Sequence, residues 1–248
     1  MKLEIIGFNL ESCLIAQEAG AHRIELCDNP TEGGTTPSYG FIKAAREQLS
    51  IELYIMIRPR GGDFLYSDDE FEIMKADILV CKQLGCDGIV TGMLTLDGNV
   101  DMEKCKELIA LAYPLGVTFH RAFDRAKDPF KAMEDIMTMG CERILTSGQR
   151  PKATDGVQVI KELIVQAGNR IIIMPGSGVN AGNITSLAES TGAVEFHSSA
   201  SIYADSKMEY ENILMKDDMK HITVHSETVK NMVSRIKTLE TRTANNES

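Results

Sequence analysis

Eight short apolar runs separated by helix-length segments predict an α/β fold, a single-domain (β/α)8 TIM barrel. Three observations carry that prediction. The runs recur at end-to-end intervals of roughly 20 to 35 residues, the length of a βα unit. Five of them are entered through one repeated turn, a glycine followed by a short polar or charged step and then an apolar strand (GAHRIEL, GCDGIV, GCERIL, GNRIII, GAVEF). The 248 residues, 43% of them hydrophobic, match one barrel of roughly 250 residues and need no second domain.

The predicted strands cover 3–6, 22–26, 51–58, 88–92, 116–121, 143–146, 170–174 and 194–198. Helices are expected at 11–19, 37–49, 68–84, 102–112, 129–139, 156–167 and 182–190, where apolar residues recur at helical spacing, as in Phe71, Met74, Ile78 and Cys81. Ser67 with Glu70 forms a capping-box pattern, Pro129 follows Asp128 at a first turn, and Gly20, Gly85, Gly140, Gly168 and Gly192 stand where helices stop. A polar, weakly periodic connection of about 203–221 precedes an eighth helix at 227–239. The barrel domain is therefore placed at 1–240, with 241–248 as a frayed tail.

Composition removes several classes of function. A formal charge of -10 argues against nucleic-acid or anionic-membrane partners, which require clustered basic residues. The first ten residues carry an early acid and no long apolar region, and no later stretch approaches a membrane span, so a cytoplasmic protein is expected. Six cysteines at 13, 27, 81, 86, 105 and 141 show no CxxC, which predicts reduced, buried thiols and no structural zinc, with Cys27 set apart. The 13 methionines are scattered and read as core fillers.

Strand parity picks out the chemistry. Strands of a parallel barrel are covered on both sides, so a charged residue within one must point into the barrel or at its mouth. Glu4, Glu25, Arg58, His120, Arg121, Glu195 and His197 are such residues. If Glu25 points inward, Cys27 does too, Ile6 stands above Glu4, and His197 stands above Glu195. The three glutamates read equally as an internal salt-bridge layer with Arg23, Arg58 or Arg143, or as acids at work. Glu4, Glu25, Arg58, His120 and His197 are expected to converge on one cavity at the C-terminal barrel end.

Glu25, His120 and Asp124 are the candidate proton-moving residues, since an imidazole titrates near neutrality and a carboxylate can orient it. Arg58, Arg60 and Arg121 are candidate anion ligands, the first two on the loop RPRGGDF. Gly176 and Gly178 in MPGSGV, with Ser199 after the eighth strand, occupy loops where barrels often hold phosphate on backbone amides.

The strings RIELC at 23–27, EGGTTPS at 32–38, MIRPRGGDFLYSD at 56–68, VTFHRAFD at 117–124, RILTSG at 143–148, MPGSGV at 174–179 and EFHSSA at 195–200 together resemble the CutC family. They run in order across about the first 200 residues. The resemblance implies a cytoplasmic barrel forming homo-oligomers (dimer or tetramer), with copper homeostasis as its assigned role and copper(I) as the implied ion. Family members proposed to bind copper(I) carry cysteines at the ends of strands 1 and 2, a soft pair suited to a soft ion. Here Cys27 holds the second position and Ile6 the first, which leaves Cys27 with His197, or with an added ligand from an oligomer partner, as the metal ligands and predicts weak affinity. Cys13 cannot substitute, because its helix turns it away from the mouth. Two functions follow: copper handling, or an enzyme acting on a small phosphorylated or carboxylated metabolite.

Overall fold

The computed structural model of the protein describes residues 1–212, 214–216 and 218–246. Eight parallel strands, β1 (Lys2–Gly7), β2 (Arg23–Leu26), β3 (Glu52–Met56), β4 (Gly88–Thr91), β5 (Gly116–Phe119), β6 (Arg143–Thr146), β7 (Ile172–Pro175) and β8 (Glu195–Ser198), run in the order β7-β6-β5-β4-β3-β2-β1-β8. The sheet curls into a near-closed TIM barrel. Its helices are α1 (Leu10–Glu18), α2 (Tyr39–Gln48), α3 (Asp68–Gln83), α4 (Met102–Ala112), α5 (Pro129–Met139), α6 (Val157–Ala167), α7 (Ile184–Thr191) and α8 (Ser226–Asn246).

Alternation along the strands divides the interior in two. Leu3, Ile5, Ile24, Leu26, Leu53, Ile55, Ile89, Ile144 and Phe196 face outward and pack with the apolar helix faces in one large core. Inside the barrel a small cluster of Ile6, Cys27, Tyr54, Met56 and Val90 stands apart from it. Beneath that cluster the barrel is charged. Arg23, fully buried, donates to Glu4, to Glu195 at 2.7 Å and to Glu52 at 3.1 Å, while Arg143 reaches Glu195 at 2.7 Å and Thr118 at 3.1 Å. Both guanidinium groups lie over the Tyr54 ring, 5.0 and 5.4 Å from its centroid.

Tyr54 explains two glycines. A Cβ on Gly88 would stand 2.2 Å from its ring, and one on Gly116 would stand 2.2 Å from its hydroxyl, which donates to Glu142 at 2.9 Å. The ring fills the space of two absent side chains. Local signals also hold: Ser67 and Glu70 form the capping box of α3, and Asp128 caps α5 ahead of Pro129.

Three strand ends differ from the sequence reading by two residues, the others by one at most. β5 stops at Phe119 because His120 Nδ1 accepts the Ala122 N–H and starts a 3₁₀ turn, Arg121–Arg125. β3 stops at Met56, and the Arg58 N–H goes to Thr36 Oγ1. β7 starts at Ile172, because Arg170 closes α6 through its N–H to the Ala167 carbonyl and pairs with Glu134. The connection after β8 is not loop throughout. β9 (Ser201–Ala204) pairs antiparallel with β10 (His221–Val224), and Asn9, the cap of α1, donates to the Ile222 carbonyl at 2.8 Å. α8 continues past residue 240, so 241–246 are helical where a frayed tail was expected, and 247–248 lie outside the described residues.

Replacing Arg23 by Leu should destabilise the protein by about 3–5 kcal/mol, since removing one partner strands two buried carboxylates. Urea unfolding measures this. Arg170→Ala, which breaks an exposed pair, should barely move the midpoint. Equal effects would show that the internal layer is not what the barrel rests on.

Candidate active site at the barrel mouth

A cavity of about 280 Å³ opens at the C-terminal ends of the strands, and Glu25, Arg58, His120, Arg121, Asp124 and His197 line it. Of the five residues expected to converge there, four do. Glu4 lies one layer down and reaches the cavity through His197, whose Nδ1 is 2.7 Å from Glu4 Oε1. The ladder sets this arrangement, pairing Glu4 with both Arg23 and His197, and Ile6 with Glu25.

The buried acids are driven apart by their surroundings. Burial alone would raise Glu4, but Arg23 and His197 outweigh it and hold the carboxyl at about 2. Glu25 is pushed up to about 7 by burial, with the nearby Glu4 charge adding to the push and His197 opposing it. His197 is itself raised against the effect of burial by Glu25 and Glu4. Its Nε2 lies 3.8 Å from Glu25 Oε2, an ionic contact beyond hydrogen-bond length. Glu25 Oε1 is buried with no hydrogen-bond partner among the described residues.

His120 is the complementary group. Burial and the adjacent Arg58 lower it to about 3, so it is neutral near pH 7. Nδ1 accepts the Ala122 N–H at 3.2 Å, which puts the ring proton on Nε2, and that nitrogen is buried without a partner among the described residues. Phe64 packs against the ring, 4.9 Å between centroids, and fixes its plane. This neutral imidazole offers a donor, where the sequence reading expected a titrating one.

Two other expected residues hold structure. Arg58 donates to the carbonyls of Glu32, Gly34 and Gly62 at 2.7 to 2.9 Å, tying the loop after β2 to the loop after β3; its Nε alone is unpartnered. Asp124 accepts from Thr146 at 2.6 Å, from the Ser147 and Gln149 backbone, and from Arg121 at 2.8 Å, which locks the 3₁₀ turn to the end of β6. Its oxygens are saturated by these donors. Arg60 does not line the cavity; it lies outside, paired with Glu70 and Asp63 over Tyr66. Arg121 remains, its other contact being Ser147 at 2.8 Å.

A second hollow of about 550 Å³ adjoins the first, and Ile6, Gly33, Arg121 and His197 border both. Gly178 and Ser199 line it. Ser177 and Gly178 are both left-handed, with φ of 72° and 76°, so the turn bends sharply around this space. Gly176 does not line it: a Cβ there would meet Leu145 at 2.4 Å, so this glycine permits close packing.

Cys27 is fully buried under Gly34, and its Sγ lies 3.6 Å from Glu25 Oε2. Burial and then the Glu25 charge push the thiol well above its usual range, which disfavours the thiolate a metal needs. Among the described residues, Glu4, Glu25 and His197 bring donor atoms within 4.8 Å of one another and could hold a metal ion. Both Glu4 oxygens are already engaged, by Arg23 and by His197, so an ion would have to displace one of them. Copper(I) fits poorly, because these are hard donors and Ile6 supplies none. The layering of Glu4 beneath Ile6 and of Glu195 beneath His197 was legible from parity; the Glu4–His197 contact and Phe64 as the support of His120 were not, because one depends on the register between strands and the other sits on an irregular loop.

Residues 1–202 match the CutC family. A CutC family protein of Chromobacterium violaceum is 53% identical over 208 residues, 84% of each chain. The human copper homeostasis protein cutC homolog is 50% identical over 210 residues, 85% of this chain and 77% of that one. Among solved structures, CutC of Streptococcus agalactiae superposes with a TM-score of 0.77 at 38% identity, over 80% of this chain and 98% of the other. Phosphoribosylanthranilate isomerase of Thermotoga maritima gives 0.58 at 14% identity, over 96% and 98%, a likeness of fold alone.

Glu25 makes a pH-dependent contribution of definite sign. Its folded value of about 7 lies above its ordinary 4.5, so the stability it contributes is complete below 4.5 and lost as pH rises through 7. Relative to the parent, Glu25→Gln should therefore gain about 2–3 kcal/mol between pH 5 and pH 8, measured by denaturant unfolding across that range. A pH-independent difference would mean that the carboxyl is ionised throughout.

Proposed function

Since the chain belongs to the CutC family, and is thereby a homologue of copper homeostasis proteins, we propose that its own chemistry is enzymatic, acting on a small phosphorylated or carboxylated metabolite at the barrel mouth. The observation that carries this reading is the pair of buried, unpartnered groups at the cavity, a carboxylate oxygen of Glu25 and the Nε2–H of His120. Leaving such atoms unpaired costs about 1–3 kcal/mol each, a cost that a bound ligand would offset. Arg121 supplies positive charge at the rim, and the 177–178 turn with Ser199 supplies backbone and hydroxyl donors in the adjoining hollow. In this reading Glu25 moves the proton and His120 donates a hydrogen bond without charging. A cytoplasmic homo-oligomer is part of the same proposal, drawn from the family resemblance; among the described residues no helix is long and apolar enough to cross a membrane.

Copper handling is the second reading, favoured by the names of the relatives. Cys27 and His197, the ligands of this chain named from sequence, both lie close to Glu25. A two-coordinate copper(I) site would need the thiolate and a partner that Ile6 does not provide.

Two measurements separate these readings. Sugar phosphates and small carboxylates, screened by thermal shift, should raise the melting temperature of the parent and much less that of Arg121→Ala, because a ligand of the folded state stabilises it by mass action. No shift at millimolar concentration, or equal shifts in both proteins, would remove the anion site. Competition with a copper(I) chelator should find weak binding that strengthens in Ile6→Cys. Tight binding by the parent that survives Cys27→Ser would take Cys27 out of the copper reading.

A further inference from the structure

We infer that the mouth catalyses proton transfer at a carbon next to a carbonyl, with Glu25 as the base, His120 as the donor to the carbonyl oxygen, and an α-hydroxy carbonyl phosphate or its carboxylate counterpart as the substrate class. This rests on the proposed enzymatic reading and narrows it. The two groups come from β2 and the end of β5, on different sides of one cavity, so a ligand between them meets a proton acceptor on one side and a hydrogen-bond donor on the other.

The chemistry of each group fits that division. Glu25 presents an oxygen that nothing among the described residues engages, while its other oxygen faces Cys27 at 3.6 Å and His197 at 3.8 Å. Ile6 and Met56 line the same cavity beside Glu25, so the open oxygen faces a space walled partly by apolar side chains. His120 has its tautomer set by a backbone N–H and its plane set by Phe64, so Nε2–H is a fixed donor. Donors already in place where negative charge develops stabilise an enolate without reorganising. His197, held by Glu4, is a positioning residue for Glu25.

The step balances within the site. The C–H bond breaks, its proton passes to Glu25, its electron pair forms the C=C bond, and the former carbonyl π pair moves to oxygen, where the His120 N–H meets it. Return of the proton to the neighbouring carbon, with the hydroxyl proton passing to the enediolate oxygen, gives the isomeric hydroxy carbonyl. No oxidant, reductant or further reactant is consumed. The substrate's anionic end has a place as well, because the second hollow shares Arg121 and His197 with the first and is edged by Gly178 and Ser199. A molecule with its carbonyl in one hollow and its phosphate in the other spans both.

Deuterium exchange tests this directly. Dihydroxyacetone phosphate, ribulose 5-phosphate and fructose 6-phosphate, each incubated with the full-length protein in D2O, would be followed by proton NMR. At least one should lose its α-proton signal at a rate at least 100-fold above buffer; Glu25→Gln should abolish the exchange, and His120→Phe should slow it at least 100-fold while thermal shifts show that both variants are folded. Phosphoglycolohydroxamate, which mimics the enediolate, should stabilise the parent and lose at least tenfold in affinity with His120→Phe. Arg121-dependent binding of these phosphates without exchange would overturn the enolisation and leave the anion site standing. Binding of none of the probes would overturn both, and exchange that persists in Glu25→Gln would remove Glu25 as the base.

Discussion

Arg23 holds the interior of this barrel together. A guanidinium with no exposure to solvent must find its counter-charges within a few ångströms, and it finds Glu4, Glu195 and Glu52 on three other strands. Each partner lies on the inward face only if its strand keeps one parity. A one-residue slip of β1 or β8 would move a carboxylate into the outer apolar core and leave Arg23 unpaired, so the charged layer selects the register at which the ladder is observed. Ion pairs of this kind contribute little net stability compared with apolar packing, but they make the wrong register expensive.

The same layer shapes the chemistry above it. Because Arg23 keeps Glu4 ionised, Glu4 can hold His197 through Nδ1, which orients the imidazole edge toward Glu25. Glu25 then sits beyond direct reach of any guanidinium hydrogen bond, next to one imidazole and one thiol, and burial dominates its proton affinity. Four acids on the barrel axis thus behave differently for reasons of layer alone: Glu195 is lowered by two arginines that overcome its burial, Glu4 by one arginine and a histidine, Glu52 at the solvent end by Lys2 and Arg23, and Glu25 is raised.

Parity along a strand makes much of this legible in the sequence. Glu4 below Ile6, Glu195 below His197, and Glu25 in line with Cys27 follow from a period of two, and a charge within an apolar strand has few places to go. What escaped the sequence lies where the chain leaves the strands. Arg58 and Asp124 carry the right charges at the right strand ends, yet carbonyls of two loops take up the first and hydroxyl and amide donors of the β6 end take up the second. Most of these partners are backbone groups, which have no sequence signature. Arg60, two residues beyond Arg58, sits in a loop where alternation no longer applies, and it turns to Glu70 at the start of α3. The β9–β10 hairpin was invisible for a related reason: β9 is exposed along most of its length, so it lacks the alternation that marks a strand.

Fold likeness cannot choose a reaction, because barrels of one architecture host many chemistries and a structure at 14% identity shares only the scaffold. The choice must come from the donor atoms at the mouth. A soft monovalent ion wants two thiolates in line, whereas this mouth has one thiol, buried and held protonated, opposite an isoleucine. What it does present is a hard, poorly solvated carboxylate and a neutral imidazole donor, which is a pairing suited to moving a proton rather than to holding a soft metal. Position 6 is where the two possibilities divide. With isoleucine there, the wall beside Glu25 is apolar and the second sulfur is withheld, so this one side chain counts against the copper reading and is compatible with the proposed proton transfer.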